Sequence, residues 1–282
     1  MIKASARKPE FCCLLAVGTL TLCAALFWPL DAASGPEAHD QLTDAANFLR
    51  PTIAPGQTIS QVFSRAISLK AEGIDPLVRR VSGTATYRVT AVGDHEYSFA
   101  AKFLYDGRPD ATGAVQIRKD GRESCWQAQC TNATDASGLL FNPLVWGTPP
   151  GTMAVGTKWH TQIAMPWELG PQGPEDITVI NLDAATGTIT LMRQGGGDGP
   201  FDNDKAKLKV TSKGTDYTLD VTPGHASWSG FTTISKGVVT NDELLVERSL
   251  TLWCKELGTI SASERQYILL NKMPFPSSWD PV

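Results

Sequence analysis

The chain has 282 residues, 42% of them hydrophobic and 19% charged, with a formal net charge of −4. That balance excludes a disordered polyelectrolyte and an all-membrane chain. It also speaks against nucleic acid as a partner, because phosphate binding needs a basic stripe and none is visible.

Lys3, Arg7 and Lys8 precede "FCCLLAVGTLTLCAALFWPL", residues 11–30, a run without a single charge. A basic patch followed by an apolar run is an export signal, and the small residues "AAS" at 32–34 offer a cleavage site. The run is also long enough to span a bilayer. Residues 1–34 are therefore expected to be a signal peptide or an N-terminal membrane anchor. In both cases the body lies outside the cytoplasm, periplasmic or secreted, and touches a membrane only through an uncleaved leader. The leader carries three basic and two acidic residues, so the body is slightly more acidic than the whole chain.

Residues 35–75 read as a helical segment. In "PEAHDQLTDAANFLR", Leu42, Ala45, Ala46 and Leu49 fall at helical spacing and Pro51 follows. In "GQTISQVFSRAISLKAEG", Ile59, Val62, Phe63, Ala66 and Ile67 form one apolar stripe, with Gly73 beyond its end. One or two N-terminal amphipathic helices are expected.

From residue 76 to 272 the period changes to two. Tyr87, Val89 and Ala91 alternate with polar residues, Gly93-Asp94 turns the chain, and Tyr97, Phe99, Ala101, Phe103 and Tyr105 answer on one face. Val115 and Ile117 follow. Ile177 and Val179 lead through "DAATG" to Ile189 and Leu191, and Leu208 and Val210 lead through Lys213-Gly214 to Tyr217, Leu219 and Val221. Pro223-Gly224 and Lys236-Gly237 punctuate the rest, "ELLVERSLTLW" and "ERQYILLN" close the domain, and 273–282 is a tail. Short turns between successive strands predict an antiparallel meander.

Ten such strands make a sheet roughly 48 Å wide. Two helices of about 21 Å cannot roof it. The predicted fold is therefore all-β, an antiparallel meander curled into a barrel or half-barrel, with the N-terminal helices against it.

Three cysteines remain outside the leader: Cys125, Cys130 and Cys254. An oxidising compartment invites one disulfide. Positions five apart on a straight strand lie about 16 Å apart, whereas a bridge needs Cα atoms within about 7 Å. "CWQAQC" closes only if the chain turns back; otherwise Cys254 bridges to one of the pair.

Trp146, Trp159 and Trp167 lie close together in "WGTPPGTMAVGTKWHTQIAMPWELGP", with His160 among them. As an aromatic rim they would suit an apolar or amphipathic small molecule, a sugar face or a peptide. Alternatively "VGTKWHTQIAM" is one more strand, with Trp159 in the core and His160 on the surface. "RQGGGDGPFDNDK", residues 193–205, reads as a glycine-rich loop whose Asp198, Asp202 and Asp204, with Asn203, offer oxygen ligands for calcium, although the spacing is not that of an EF-hand. No other cofactor is indicated. Glu168, Glu175, Asp176, Asp242, Glu243 and Glu247 are carboxylates available for acid–base work, without a spacing that pairs them. No nucleophile elbow is present.

The expected function is a non-enzymatic extracytoplasmic β-domain that binds an apolar or amphipathic ligand, or an envelope partner protein. The alternatives are a secreted carbohydrate-acting hydrolase with paired carboxylates and tryptophan platforms, and a structural envelope protein.

Overall fold

The computed structural model describes residues 43–44, 46–107, 109–119, 124–127, 129–131, 146–167, 170–201 and 205–271. Residues 1–42, where the signal or anchor is expected, residues 272–282, and the segment holding Asp202, Asn203 and Asp204 lie outside these.

The strands are β1 (Thr43–Asp44), β2 (Thr58–Ala71), β3 (Leu77–Val92), β4 (Glu96–Tyr105), β5 (Ala111–Arg118), β6 (Ser124–Trp126), β7 (Gln129–Thr131) and β8 (Thr152–Met153), followed by β9 (Lys158–Ile163), β10 (Gly173–Asp183), β11 (Thr188–Asp198), β12 (Lys207–Ser212), β13 (Thr215–Ser235), β14 (Val238–Cys254) and β15 (Gly258–Leu270). A short helical stretch, α1 (Ala46–Leu49), stands beside them, and Trp146 is also helical. All but β1 and β8 join one antiparallel sheet, ordered β7-β6-β5-β4-β3-β2-β15-β14-β13-β11-β10-β9, with β12 paired to β13. The architecture is an all-β half-barrel: one sheet, curled and not closed.

The period-two residues explain the inner face. Tyr87, Phe99, Val115, Ile177, Leu191 and Leu244 come from six strands and are all essentially sealed in one apolar cluster. A smaller cluster, around Leu69, Val210, Leu219 and Leu252, fills the other end of the same face. Between them runs a polar belt. Arg248 Nε donates to Glu264 Oε1 at 3.0 Å, Gln266 donates to that same oxygen, and Arg65 donates to Gln266 Oε1. The opposite face is mostly Ser, Thr and charged residues; there Tyr267 Oη donates to Glu243 Oε1 at 2.6 Å.

A strap crosses the curl. Thr43 and Asp44 pair with Met153 and Thr152 beside β9. Phe48 and Ile53 then enter the large cluster. Thr52 N donates to Lys236 O, and Tyr97 Oη donates to Pro51 O. Gly56 N reaches Val89 O at 2.8 Å, on the far wing of the sheet. Gly237 permits this: at φ 76° a Cβ would overlap the backbone of Arg50 and Pro51. At the other end the β2–β3 turn meets the β12–β13 hairpin, Asp75 N donating to Thr211 O at 2.9 Å.

The expected second helix is a strand. β2 is hydrogen-bonded between β3 and β15, so the β domain begins at Thr58 and not at 76. Its inward residues are Ile59, Gln61, Phe63, Arg65, Ile67 and Leu69. Gln61 and Arg65 interrupt the alternation, and both have polar partners inside: Gln61 Nε2 donates to Val239 O at 2.8 Å and Arg65 bonds Gln266. Two hydrogen-bonded polar residues on a dry face disguised period two as a helical stripe. Of the first expected helix, residues 43–44 and 46–50 are described: Ala46–Leu49 is helical as α1, whereas Thr43–Asp44 is the strand β1.

Two further expectations change. Pro223-Gly224 does not end a strand: β13 runs through it, with a register shift between Pro223 and Ala226. The stretch 193–198 is not a loop but the end of β11, paired with β13 throughout and with β10 as far as Gly195.

Candidate functional site

The inner face carries a buried charge cluster, built from four adjacent strands and two flanking segments. In β10, Glu175 shares its face with Ile177 and Val179; in β11, Arg193 shares its face with Ile189 and Leu191. Glu175 is 1% exposed and Arg193 2%. Arg193 Nε donates to Glu175 Oε1 at 2.9 Å, and Nη2 lies 2.8 Å from the same oxygen. Trp228 Nε1, from β13, also donates to Oε1 at 2.9 Å. The guanidinium lies 5.6 Å from the ring centre of Trp146 and 5.3 Å from that of Trp167, and Trp167 meets Trp228 edge to face. On its other side Arg193 Nη1 reaches Thr232 Oγ1 at 3.4 Å, and Thr232 donates onward to Asp242 Oδ1 at 2.7 Å. Burial raises the Asp242 carboxyl above its ordinary range; Arg193 and the Thr232 hydroxyl only partly oppose this.

The last strand residues of β11 make the cluster possible. A Cβ at Gly195 would overlap the indole of Trp228, so a side chain there would displace the ring that anchors Glu175. Gly195, read from sequence as part of a loop, is the floor beneath a tryptophan.

Four polar atoms in this cluster are buried without a hydrogen-bond partner: Glu175 Oε2, Arg193 Nη2, Trp146 Nε1 and Trp167 Nε1. Nη2 touches Oε1 as an ion contact, but its N–H bonds are not aimed there. Oε1 thus takes all the donors while Oε2 takes none. An orphaned buried polar group costs about 1–3 kcal/mol, so a cluster of four is an unusual concentration of unspent bonding capacity.

The tryptophan-rich stretch divides. Trp146 and Trp167 are buried, at 3% and 7% exposure, and converge on Arg193. Trp159 is half-buried on the inner face of β9, its Nε1 donating to Trp146 O at 2.8 Å. His160 points the other way, exposed, with Nδ1 3.0 Å from Asp176 Oδ1. No rim of exposed indoles exists at these positions. Sequence reasoning named Glu175 and Asp242 among several carboxylates and missed Arg193, Trp228 and Thr232. The available signal was a charge in phase with a dry strand face.

Of the calcium candidates, Asp198 is exposed and faces His225, Nδ1 to Oδ1 3.1 Å; Asp202 and Asp204 lie outside the described residues. Among the described residues no three His, Cys, Asp or Glu side chains are grouped to hold a metal. The β6–β7 hairpin supplies the reversal that "CWQAQC" needs: Cys125 and Cys130 pair in register, and Cys125 is disulfide-bonded. Cys254 is a free, buried thiol, which removes it as the bridging partner. No described helix is long and apolar enough to cross a membrane.

No protein-family model matches the chain, and no curated protein matches it. A solved structure of lipovitellin, described as showing lipid–protein interactions, aligns with 79% of this chain and 26% of its own at 11% identity, with a TM-score of 0.35. The chain thus spans about a quarter of that structure's length. A similarity this low says nothing about function.

Proposed function

We propose that the protein is an extracytoplasmic, non-enzymatic β-domain that binds an apolar or amphipathic small molecule against the inner face of its curled sheet. One observation carries this reading: four polar atoms stand buried and unpartnered around Arg193, beside the apolar cluster of the inner face. A face that served packing alone would be stabler with those groups replaced or paired. A small molecule that is apolar along its length and polar at one end supplies both kinds of partner.

The hydrolase alternative needs two carboxyl groups open to a sugar. Glu175 and Asp242 do share a face, but Glu175 is held as the ion-pair partner of Arg193, with Trp228 on the same oxygen. The experiment is a titration of the full chain with N-phenyl-1-naphthylamine, a neutral apolar fluorophore. Saturable enhancement at one probe per chain, with energy transfer from tryptophan, supports the reading. Absence of saturable binding overturns it and favours the structural role.

A further inference from the structure

From the same cluster we infer the chemistry of the ligand's polar end: an uncharged group that both accepts and donates hydrogen bonds, a hydroxyl or a primary amide. The inference rests on the small-molecule reading above and narrows it.

The unpartnered atoms comprise three donors, on Trp146, Trp167 and Arg193, and one acceptor, Glu175 Oε2. The missing partner must therefore mainly accept and also give one hydrogen. A hydroxyl offers two lone pairs and one hydrogen, and a primary amide a carbonyl oxygen with two lone pairs and two N–H bonds; either can serve two of the three donors and also give Oε2 its hydrogen. An ammonium has nothing to accept with. A carboxylate or phosphate ester has lone pairs to spare but, fully ionised, no hydrogen for Oε2.

Charge leads to the same conclusion. Arg193 is already matched by Glu175, and Asp242 lies one hydroxyl further along the chain of contacts. The cluster is neutral if Asp242 is protonated and negative if it is not. In neither state does it compensate a buried anion, which would meet Oε2 in a water-poor interior.

The test is calorimetric titration of the full chain with decan-1-ol, decanamide and decanoate at about pH 8, where decanoate is ionised. The three share one alkyl chain and differ only at the head. The alcohol and the amide are expected to bind at one per chain, about tenfold or more tighter than decanoate. Glu175→Gln leaves Arg193 unmatched and turns the acceptor into a donor, so its preference is expected to move towards decanoate. Decanoate binding to the native chain as tightly as decan-1-ol overturns the inference while leaving the small-molecule reading standing. So does an unaltered order of preference in a folded Glu175→Gln variant. If that variant does not fold, the comparison on the native chain decides. Failure of all three to bind means the cluster holds water only, and removes both readings together.

Discussion

Arg193 addresses Glu175 through a single oxygen: Nε at 2.9 Å and Nη2 at 2.8 Å both approach Oε1, and Oε2 is left without a donor. The usual arrangement of this pair is a two-pronged fork. Here Trp228 occupies part of the approach to Oε1, and the second oxygen is unspent.

Removing one member strands the other's charge in the interior. Arg193→Met is expected to cost about 3–5 kcal/mol of folding stability. The double replacement Glu175→Leu, Arg193→Met removes both charges and should recover most of that loss. Urea unfolding of the three proteins measures it; a double variant as unstable as the single one contradicts the assignment of this pair as a charge pair.

Asp242 makes stability depend on pH in a defined direction. Its native carboxyl holds its proton above the ordinary value of 3.8, because burial disfavours the charge. Between that value and the raised one the native chain binds a proton that the unfolded chain has lost. Stability from this group is therefore present at low pH and declines as pH rises through the raised pKa. Asp242→Asn keeps the acceptor for Thr232 and removes the titration. The change in urea midpoint between about pH 4 and about pH 8 should move in favour of the higher pH in this variant. An unchanged difference would show that Asp242 titrates normally.

Gly195→Ala forces a methyl into the indole of Trp228. The expected loss is about 1–3 kcal/mol, with an altered near-ultraviolet dichroism from the tryptophan cluster. In a Trp228→Phe background the smaller ring should accommodate that methyl with less loss. Strict additivity of the two substitutions would mean the contact is not what Gly195 serves.

Cys254 is buried at the end of β14, at 6% exposure. Iodoacetamide should leave it unmodified in the folded protein and label it fully after denaturation, while Cys125 resists labelling until reduction. Peptide mapping separates the two. Rapid labelling of Cys254 under native conditions would place it on the surface.

Much of the fold was readable because one face of most strands is uniformly dry. The pairs β3–β4, β10–β11 and β12–β13 follow the alternation and the turn residues Gly93-Asp94, "DAATG" and Lys213-Gly214. The curl itself follows from having more apolar sheet than helices could cover. Reading failed where polar residues sit on the dry face. Gln61 and Arg65 hid β2, and their partners Val239 and Gln266 are 178 and 201 residues away. The same rule hid the site. Glu175 and Arg193 are in phase with valine, isoleucine and leucine, and a single chain read linearly does not show that β10 and β11 bring them together. Gly195 of β11 misled for a related reason: its need is set by Trp228, on a neighbouring strand.

The strap has a consequence for the order of assembly. Thr52 finds its acceptor on Lys236, 184 residues later. Residues 43–57 thus leave the ribosome before any strand of the large sheet, yet their docking surface is complete only once the β13–β14 turn exists. A closure of such long range is slow to form and adds little until the rest is in place. During synthesis this stretch therefore waits without its docking surface, and the interior it finally crosses stays open until the last hairpins have joined.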